Sequence, residues 1–223
     1  MSILNAPAAA KKLGVSERRM RALAESGSVP AEKVGSRWIF DSDLLLDHLH
    51  RNSSPGRPFS QLHALGLLFL ASDEEPSWLS GYEKWRLARS VRPGLREALP
   101  RLRARARVGF WRAPVALIDR LQKEARFVRS GVSAAEEVRA EIHGRGIADG
   151  YWVASEAAAL IHRYALSRVA EAAANLVIRE VDDPRPLEHR RVMPVAVVAA
   201  DLSESSSARA RRAGQQLLDR VNA

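Results

Sequence analysis

The stretch from Asn5 to Leu49, near the start of the chain, restricts the fold more than any other part of the sequence, because helix-capping and turn residues recur in it at short intervals. Asn5 is a favourable N-cap, and the small and apolar residues after it recur at the spacing of one helical face. Gly14 supplies the left-handed turn that ends such a helix, and Ser16 is placed to cap a second helix at once. The stretch therefore predicts two short helices joined by a tight turn.

The second of these helices is predicted to have one buried face and one arginine-rich face. Met20 belongs to the buried face and is expected to pack against Val15, which fixes the angle between the two helices. The opposite face carries Arg18 and Arg21, and Arg19 flanks it. Guanidinium groups near a helix N-terminus reach both guanine edges and phosphates, so this face is suited to the major groove of DNA.

A small hairpin is predicted after the second helix. The segment from Lys33 to Phe40 has the pattern of two short strands that turn at Gly35-Ser36. Trp38 and Phe40 are expected to pack the hairpin onto the helices. This leaves Lys33 and Arg37 free to contact phosphate or the minor groove, as the wing of a winged helix-turn-helix does.

A known family shows the same order of residues over about the first fifty positions. The matching segments are Ala9-Ala10, Leu13-Gly14-Val15-Ser16, Met20-Arg21-Ala22-Leu23, Ser26-Gly27, Val29-Pro30, Val34-Gly35-Ser36-Arg37-Trp38 and Ser42-Asp43-Leu44. The stretch resembles the MerR/excisionase-like winged helix-turn-helix family. In that family the second helix lies in the major groove and the wing contacts the backbone.

The resemblance implies a set of DNA-contacting side chains in this chain. The set comprises Ser16, Arg18, Arg19, Arg21, Lys33, Ser36 and Arg37. The alternative is a degenerate helix-turn-helix that is used only for contact with protein.

Composition divides the rest of the chain into further segments. A third helix is predicted from Asp43 to Leu49, so the first domain spans residues 1–50. Residues 51–59 are rich in Pro, Gly and Ser and form a predicted linker. Residues 60–126 are predicted to be a basic helical region, and residues 127–223 an α+β domain of helices and short strands. The fold class is therefore α+β and mainly helical.

Positive charge is concentrated in one segment. The formal net charge is +9, and the segment from Lys84 to Arg129 alone holds fourteen basic and three acidic residues. Within it, arginine alternates with apolar residues at Arg101, Arg103, Arg105 and Arg107, where a helix to about Ala104 should give way to a strand from Arg107 to Arg112. This run predicts secondary nucleic-acid contacts that do not depend on base sequence. A solvated helix face, or a basic surface for an acidic protein partner, explains it equally well.

The C-terminal part alternates between short strands and helices. Strands are predicted at Phe127-Val128, Gly150 to Val153 and Asn175 to Val181, with helices after Ser133, Ser155 and Ser207 and a buried segment from Pro194 to Leu202. Several segments here carry a second resemblance: Gly150-Tyr151-Trp152-Val153, Asn175-Leu176-Val177-Ile178-Arg179, Pro194, Asp201-Leu202, Ser205 and Ala208-Arg209-Ala210-Arg211-Arg212-Ala213-Gly214. They resemble the C-terminal region of AbiEi-like type IV antitoxins. This implies a repressor of its own operon that binds a nucleotidyltransferase-like toxin protein.

Aromatic residues suggest two further surfaces. A helix opened by Pro76-Ser77 would place Trp78, Tyr82 and Trp85 on one face, which usually belongs to the core but could also stack bases. In a strand, Tyr151 and Trp152 would point to opposite sides, so one of them could be exposed to a partner.

The sequence lacks the patterns of a catalytic or metal site. It contains no cysteine, and its six histidines are scattered. Neither a phosphate-binding glycine loop nor a Gly-x-Ser-x-Gly elbow is present. No catalytic residue, metal or cofactor is therefore predicted, and the chain is predicted not to be an enzyme.

These features together predict a sequence-specific DNA-binding transcriptional regulator of the antitoxin-repressor type. Its expected partners are double-stranded DNA, a toxin protein and a second copy of the chain, since repressors of this kind use paired half-sites. Absence of cysteine and of a long apolar segment favours a cytoplasmic location without membrane contact. The alternatives are an excisionase-like architectural factor, which needs only the first domain, and a regulator without a toxin partner.

Overall fold

The computed structural model describes residues 3–25, 29, 31–42, 45, 57–90, 94–144 and 146–221. The chain divides into two compact units, Met1–Gly56 (unit 1) and Arg57–Ala223 (unit 2). The described residues form nine α-helices and two β-sheets, which confirms a mixed α+β fold. The predicted third helix from Asp43 to Leu49, apart from Leu45, and most of the predicted linker lie outside the described residues.

Unit 1 begins with the two predicted helices, α1 (Ala6–Leu13) and α2 (Glu17–Glu25). The side chain of Asn5 accepts a hydrogen bond from the backbone N–H of Ala8 at 3.0 Å and so caps α1. Gly14 ends α1 with φ of 66°, in the left-handed region that favours glycine. The observed ends of α1 therefore confirm the predicted ones, which depend only on residues within four positions of each end.

The remaining elements of unit 1 form a three-stranded antiparallel sheet in the order β1-β3-β2. The strands are β1 (Ile3–Asn5), β2 (Glu32–Val34) and β3 (Arg37–Asp41). The hairpin β2-β3 turns at Gly35, where φ is 61°, as predicted. Strand β1 was not predicted because three residues are too short to show alternation.

The core of unit 1 is small and centres on β3 and the two helices. Phe40 and Met20 are fully buried, and Trp38 is partly buried against the same cluster. Alanines of α1 complete the core, which lets the helices approach the sheet closely. The predicted packing of the hairpin onto the helices is therefore confirmed.

Unit 2 contains seven helices and five strands among its described residues. In chain order they are α3 (Gln61–Leu70), α4 (Gly81–Ser90), α5 (Leu95–Leu102), β4 (Arg107–Arg112), α6 (Val115–Lys123), β5 (Val128–Arg129), β6 (Ala148–Val153), α7 (Ala154–Arg163), β7 (Ser167–Arg168), β8 (Leu176–Val181), α8 (Val195–Ser203) and α9 (Ala208–Val221). Single 3-10 turns lie at Arg103–Arg105, Gly131–Ala134, Glu171–Ala173 and Arg185–Leu187.

One sheet organises unit 2 and draws strands from both sides of residue 126. Its strand order is β5-β6-β8-β4-β7, and only the β6–β8 pair is parallel. Helices α3, α5, α8 and α9 contribute to the core on one side, and α6 and α7 to the core on the other. Residues of the ranges 60–126 and 127–223 therefore share one sheet and its two cores.

Because both faces of this sheet are covered, β6 is buried on both sides. Tyr151 packs into the first core and Trp152 into the second. The predicted opposite orientation is confirmed, but the expectation that one of the two rings could be exposed is wrong. Alternation along a strand determines the side to which a residue points, and the coverage of that side depends on distant helices.

Two helix predictions in unit 2 require correction. The helix expected to open at Pro76-Ser77 begins at Gly81, because Ser80 and Glu83 form a reciprocal capping pair there. Hydrogen bonds from Ser80 and His63 lower the pKa of Glu83 to about 2, so this cap stays ionised. The helix expected after Ser133 is a short 3-10 segment followed by turns.

Gly214 marks the closest helix contact of unit 2, between α9 and α8. A Cβ atom at this position would lie 2.4 Å from the backbone nitrogen of Ser203 and 2.7 Å from the carbonyl oxygen of Ala199. Gly214→Ala is expected to lower the free energy of unfolding by roughly 1 to 3 kcal/mol through overpacking. This loss exceeds the gain of about 1 kcal/mol that alanine brings to a helix interior.

Urea unfolding of the two proteins measures this effect. Gly81→Ala is the matched control, since a Cβ atom at Gly81 would meet nothing within 4 Å. The control is expected to be neutral or slightly stabilised. An increase in stability for Gly214→Ala would show that α8 and α9 are not in tight contact.

Candidate nucleic-acid interface

The two helices of unit 1 are held at a fixed angle by local contacts. The backbone N–H of Val15 donates to the carbonyl of Ala10 at 3.1 Å, and the side chain of Ser16 accepts from the N–H of Arg19 at 3.3 Å. Val15 and Met20 belong to one apolar cluster. The direction of α2 is therefore set by the turn and the core together.

All seven side chains of the predicted DNA-contacting set are exposed. On α2 these are Ser16 at its start and Arg18, Arg19 and Arg21 along its first two turns. Arg18, Arg21 and Glu25 line the same shallow surface depression, as the helical spacing predicted. The structure thus brings Arg18 and Arg21 to one solvent-facing region, while Arg19 and Ser16 are exposed but do not line it.

One member of this set already has a partner. Arg21 forms an ion pair with Glu17 one turn earlier, and 60% of its side chain remains exposed. Exposed pairs of this kind contribute about 0 to 1 kcal/mol, so Arg21 can exchange Glu17 for a phosphate or a base at little cost. Among the residues described in unit 1, Arg18 and Arg19 form no ion pair.

The hairpin presents the remaining members. Lys33 on β2 lies opposite Trp38 on β3, and its Nζ is 5.7 Å from the centre of the Trp38 ring. Ser36 and Arg37 lie at the exposed turn. The Lys33 ammonium group lies over this ring and the residue stays exposed, so it remains accessible to a phosphate.

The basic run in unit 2 is arranged differently from the predicted secondary surface. Arg105 is only 1% exposed and cannot reach a polyanion. Arg107 makes a double hydrogen bond to Asp182, at 2.9 and 2.8 Å, and Arg101 lies over the ring of Phe59. The four arginines therefore do not form one surface for contact with nucleic acid. Their side chains point in different directions because they lie on a helix end, a 3-10 turn and β4.

A buried charged cluster surrounds Asp201, in the centre of unit 2. Its carboxylate accepts hydrogen bonds from Arg105 at 2.9 and 2.6 Å, from Ser130 at 2.5 Å and from Tyr151 at 3.2 Å. Arg179 lies 3.2 Å from the same carboxylate. Charged groups that lose water in this way require partners of opposite sign, and here every member has one.

Two further carboxylates complete this cluster. Arg179 donates to Asp149 at 2.8 and 3.2 Å, and Arg105 donates to Glu204 at 3.2 and 2.8 Å. The cluster thus connects the 3-10 turn before β4 with β6, β8 and α8, elements that are far apart in sequence. The cluster is therefore a buried network of ion pairs and hydrogen bonds that links these elements of unit 2.

Burial and neighbouring charges shift the pKa values of several members of this cluster. Burial raises the pKa of Asp149, an effect that Arg179 partly offsets. Burial also raises the pKa of Tyr151, which keeps its hydroxyl a donor. Burial alone lowers the pKa of Arg105, but Glu204 and Asp201 outweigh it and raise that pKa well above its ordinary value.

A pocket of about 450 Å³ opens onto this cluster. Asp149 and Arg179 lie at its polar end, and Phe110 and Val177 are among its apolar walls. Asp149 and Arg179 bond to each other, and Asp201 bonds to Arg105, Ser130 and Tyr151, so these charged groups of the lining are already paired. Over the described ranges of the chain, no group of three or more His, Cys, Asp or Glu residues is placed to hold a metal ion.

One feature of the sequence indicates this cluster. Asp149 and Asp201 are the only charged residues of the segments that become β6 and α8, and Arg179 is followed by Glu180 in the otherwise apolar segment that becomes β8. A lone charge in a buried segment requires a partner, so these three positions could have been matched by sign. Their pairing in space could not be derived, since it depends on the sheet order.

Comparison of the chain with protein-family models, with curated proteins and with solved structures found no match. No helix in the described part of the chain is both long and apolar enough to cross a membrane.

Proposed function

We propose that this chain is a sequence-specific DNA-binding transcriptional regulator in which unit 1 is a winged helix-turn-helix. The observation that carries the proposal is the exposed face of α2, where three arginines lie within the first two turns and the opposite face is locked into a core. A helix held rigidly in this way can enter the major groove, about 12 Å wide, with its N-terminal side chains against base edges.

The proposed roles follow from position and exposure. Arg18, Arg19 and Arg21 would set the base preference, since guanidinium forks bond to guanine edges in two places. Lys33 and Arg37 on the hairpin would bind phosphates and so fix the register without reading sequence. Ser16 and Ser36 would add hydroxyl contacts to the backbone. A second copy of the chain would occupy a paired half-site.

Unit 2 is proposed to bind a protein partner, as a nucleotidyltransferase-like toxin is bound by an antitoxin that represses its own operon. Support comes from the resemblance of the C-terminal segments and from the size of unit 2, which has its own sheet and cores. An architectural factor needs only the DNA-binding unit. The presence of this large second unit favours a regulator over an excisionase-like function.

Two single substitutions, each of which removes an arginine proposed to contact bases, test the DNA-binding proposal. Duplexes enriched by the purified full chain from a random library provide the probe. Arg18→Ala and Arg21→Ala are each expected to weaken binding to the enriched duplex by about 1 to 3 kcal/mol and to relax its base preference. Mobility shifts against enriched and scrambled duplexes measure both effects.

Two other pairs serve as controls for this experiment. Lys33→Ala with Arg37→Ala is expected to weaken all sequences similarly and to reduce the salt dependence, because phosphate contacts carry no base information. Arg168→Ala with Arg212→Ala removes the same charge from exposed positions of unit 2 and should leave the preference intact. An unchanged base preference in the Arg18 and Arg21 variants would contradict the groove assignment.

A further inference from the structure

Helix α4 packs into unit 2 in an orientation that leaves its aromatic face in solvent. Tyr82 is 68% exposed and Trp85 is 55% exposed, although the opposite face buries Leu87. Arg86 and Arg89 lie on the same side as the two rings, at the spacing of one helical stripe. The sequence favoured a core position for these rings over a base-stacking surface, and the core position is wrong for both.

The two rings and one arginine form an ordered stack along this stripe. Tyr82 and Trp85 are stacked, with ring centres 6.1 Å apart and planes 27° apart. The guanidinium carbon of Arg89 lies 4.8 Å from the centre of the Trp85 ring. The side chains of the stripe are thus arranged in a defined order before any partner is present, which reduces the entropy lost on binding.

Charge on this side of α4 is of one sign. Within the described part of the chain, Arg86 and Arg89 form no ion pair. The acidic residue of the helix, Glu83, is engaged with Ser80 and His63 on the inner side. The stripe is therefore both aromatic and cationic, and none of the described residues pairs a carboxylate with its arginines.

We propose that the stripe formed by Tyr82, Trp85, Arg86 and Arg89 is the docking surface for an acidic patch on a partner protein. Tryptophan, tyrosine and arginine are the residues that dominate binding energy at the centres of protein interfaces. The two arginines require carboxylates opposite them, which sets the chemistry of the partner. The proposal rests on the proposed function only in that unit 2 has a protein partner.

Two other occupants fit this stripe less well. Single-stranded nucleic acid stacks successive bases on free ring faces, but Trp85 is already in contact with Tyr82 and with Arg89, so only the exposed ring of Tyr82 is left for a base. A second copy of the chain, packed through the same stripe, would bring two pairs of arginines together without any carboxylate, and like charges oppose such a contact.

Photo-crosslinking from this stripe identifies the partner. The full chain carrying p-benzoylphenylalanine at Tyr82 is irradiated in cells that also express the genes flanking its own, and the adduct is identified by mass spectrometry. The same label at Gln216, an exposed position on α9, is the control. The expected adduct at position 82 is a single protein with clustered Asp and Glu residues, and none is expected at position 216.

The identified protein is then purified and titrated with variants of the full chain. Trp85→Ala and Arg86→Glu with Arg89→Glu are each expected to weaken binding by about tenfold or more. Changing the acidic residues of the partner to lysine should restore binding to the double-glutamate variant. Arg209→Glu with Arg212→Glu, which changes charge equally on α9, should bind as the unchanged chain does. Thermal unfolding verifies that each variant is folded.

Several results would overturn the proposal. These are a nuclease-sensitive adduct, an adduct with a second copy of the chain or within one chain, or an affinity that neither variant changes. An adduct at position 216 alone would overturn this surface and leave partner binding by unit 2 intact. No adduct at either position would remove both proposals about the partner, whereas DNA binding by unit 1 is tested separately.

Discussion

Asp201→Asn is expected to lower the free energy of unfolding of unit 2 by about 3 to 5 kcal/mol, the range seen when one partner of a buried ion pair is removed. The amide has nearly the same size as the carboxylate, so the substitution creates no cavity. It removes a charge from a site where Arg105 and Arg179 both lie within 3.2 Å. It also turns one of two acceptor atoms into a donor that faces other donors.

The loss should depend on the other members of the cluster. Arg105→Met alone is expected to destabilise unit 2, since Asp201 then has one cation instead of two. In combination with Asp201→Asn its additional cost should be smaller, because the buried charges are removed together. A double-mutant cycle is expected to give a coupling of roughly 0.5 to 3 kcal/mol.

Urea unfolding of the full chain measures these values, and Asp219→Asn is the matched control. Asp219 receives two hydrogen bonds from Arg96, at 2.8 and 2.9 Å, but 64% of its side chain is exposed. Such a surface pair should contribute at most about 1 kcal/mol. Equal losses in the two Asp→Asn variants would show that the buried cluster does not stabilise unit 2.

The parts of the fold that the sequence predicted correctly are determined by neighbouring residues. Asn5 caps a helix by accepting a hydrogen bond from the N–H group three residues later, and Gly35 turns a hairpin through its own backbone angle. The strand from Arg107 to Arg112 was predicted at the end of the run from Arg101 to Val108, in which arginine alternates with apolar residues. None of these inferences needs knowledge of a distant contact.

The parts that were missed depend on contacts between distant segments. The burial of Arg105 requires Asp201, which lies 96 positions away. The exposure of Tyr82 and Trp85 depends on which side of α4 meets the core, and both sides of that helix carry apolar residues. In unit 1 the arginines of α2 were predicted to be exposed because that face is charged throughout, so no such ambiguity arose.

Phe40→Ala is expected to unfold unit 1 and to abolish DNA binding while unit 2 stays folded. Phe40 is the largest fully buried side chain of this core, and four of the eight buried core residues among those described are alanines. Truncating a buried phenylalanine costs about 3 to 5 kcal/mol. A domain of this size has little stability beyond that amount, since it buries a small fraction of its surface.

Amide hydrogen exchange, read segment by segment, distinguishes the two units in this variant. Amides of α1 and α2 should lose protection, whereas those of α8 and α9 should keep it, because the cores of units 1 and 2 share no residue. Ile3→Ala is the control: Ile3 lies in the same sheet as Phe40 but is 73% exposed, so its truncation should change stability by about 0.5 kcal/mol or less. Loss of protection in α8 together with α1 would mean that the units unfold as one. DNA binding that persists after α2 has unfolded would assign that activity to unit 2, against the proposed function.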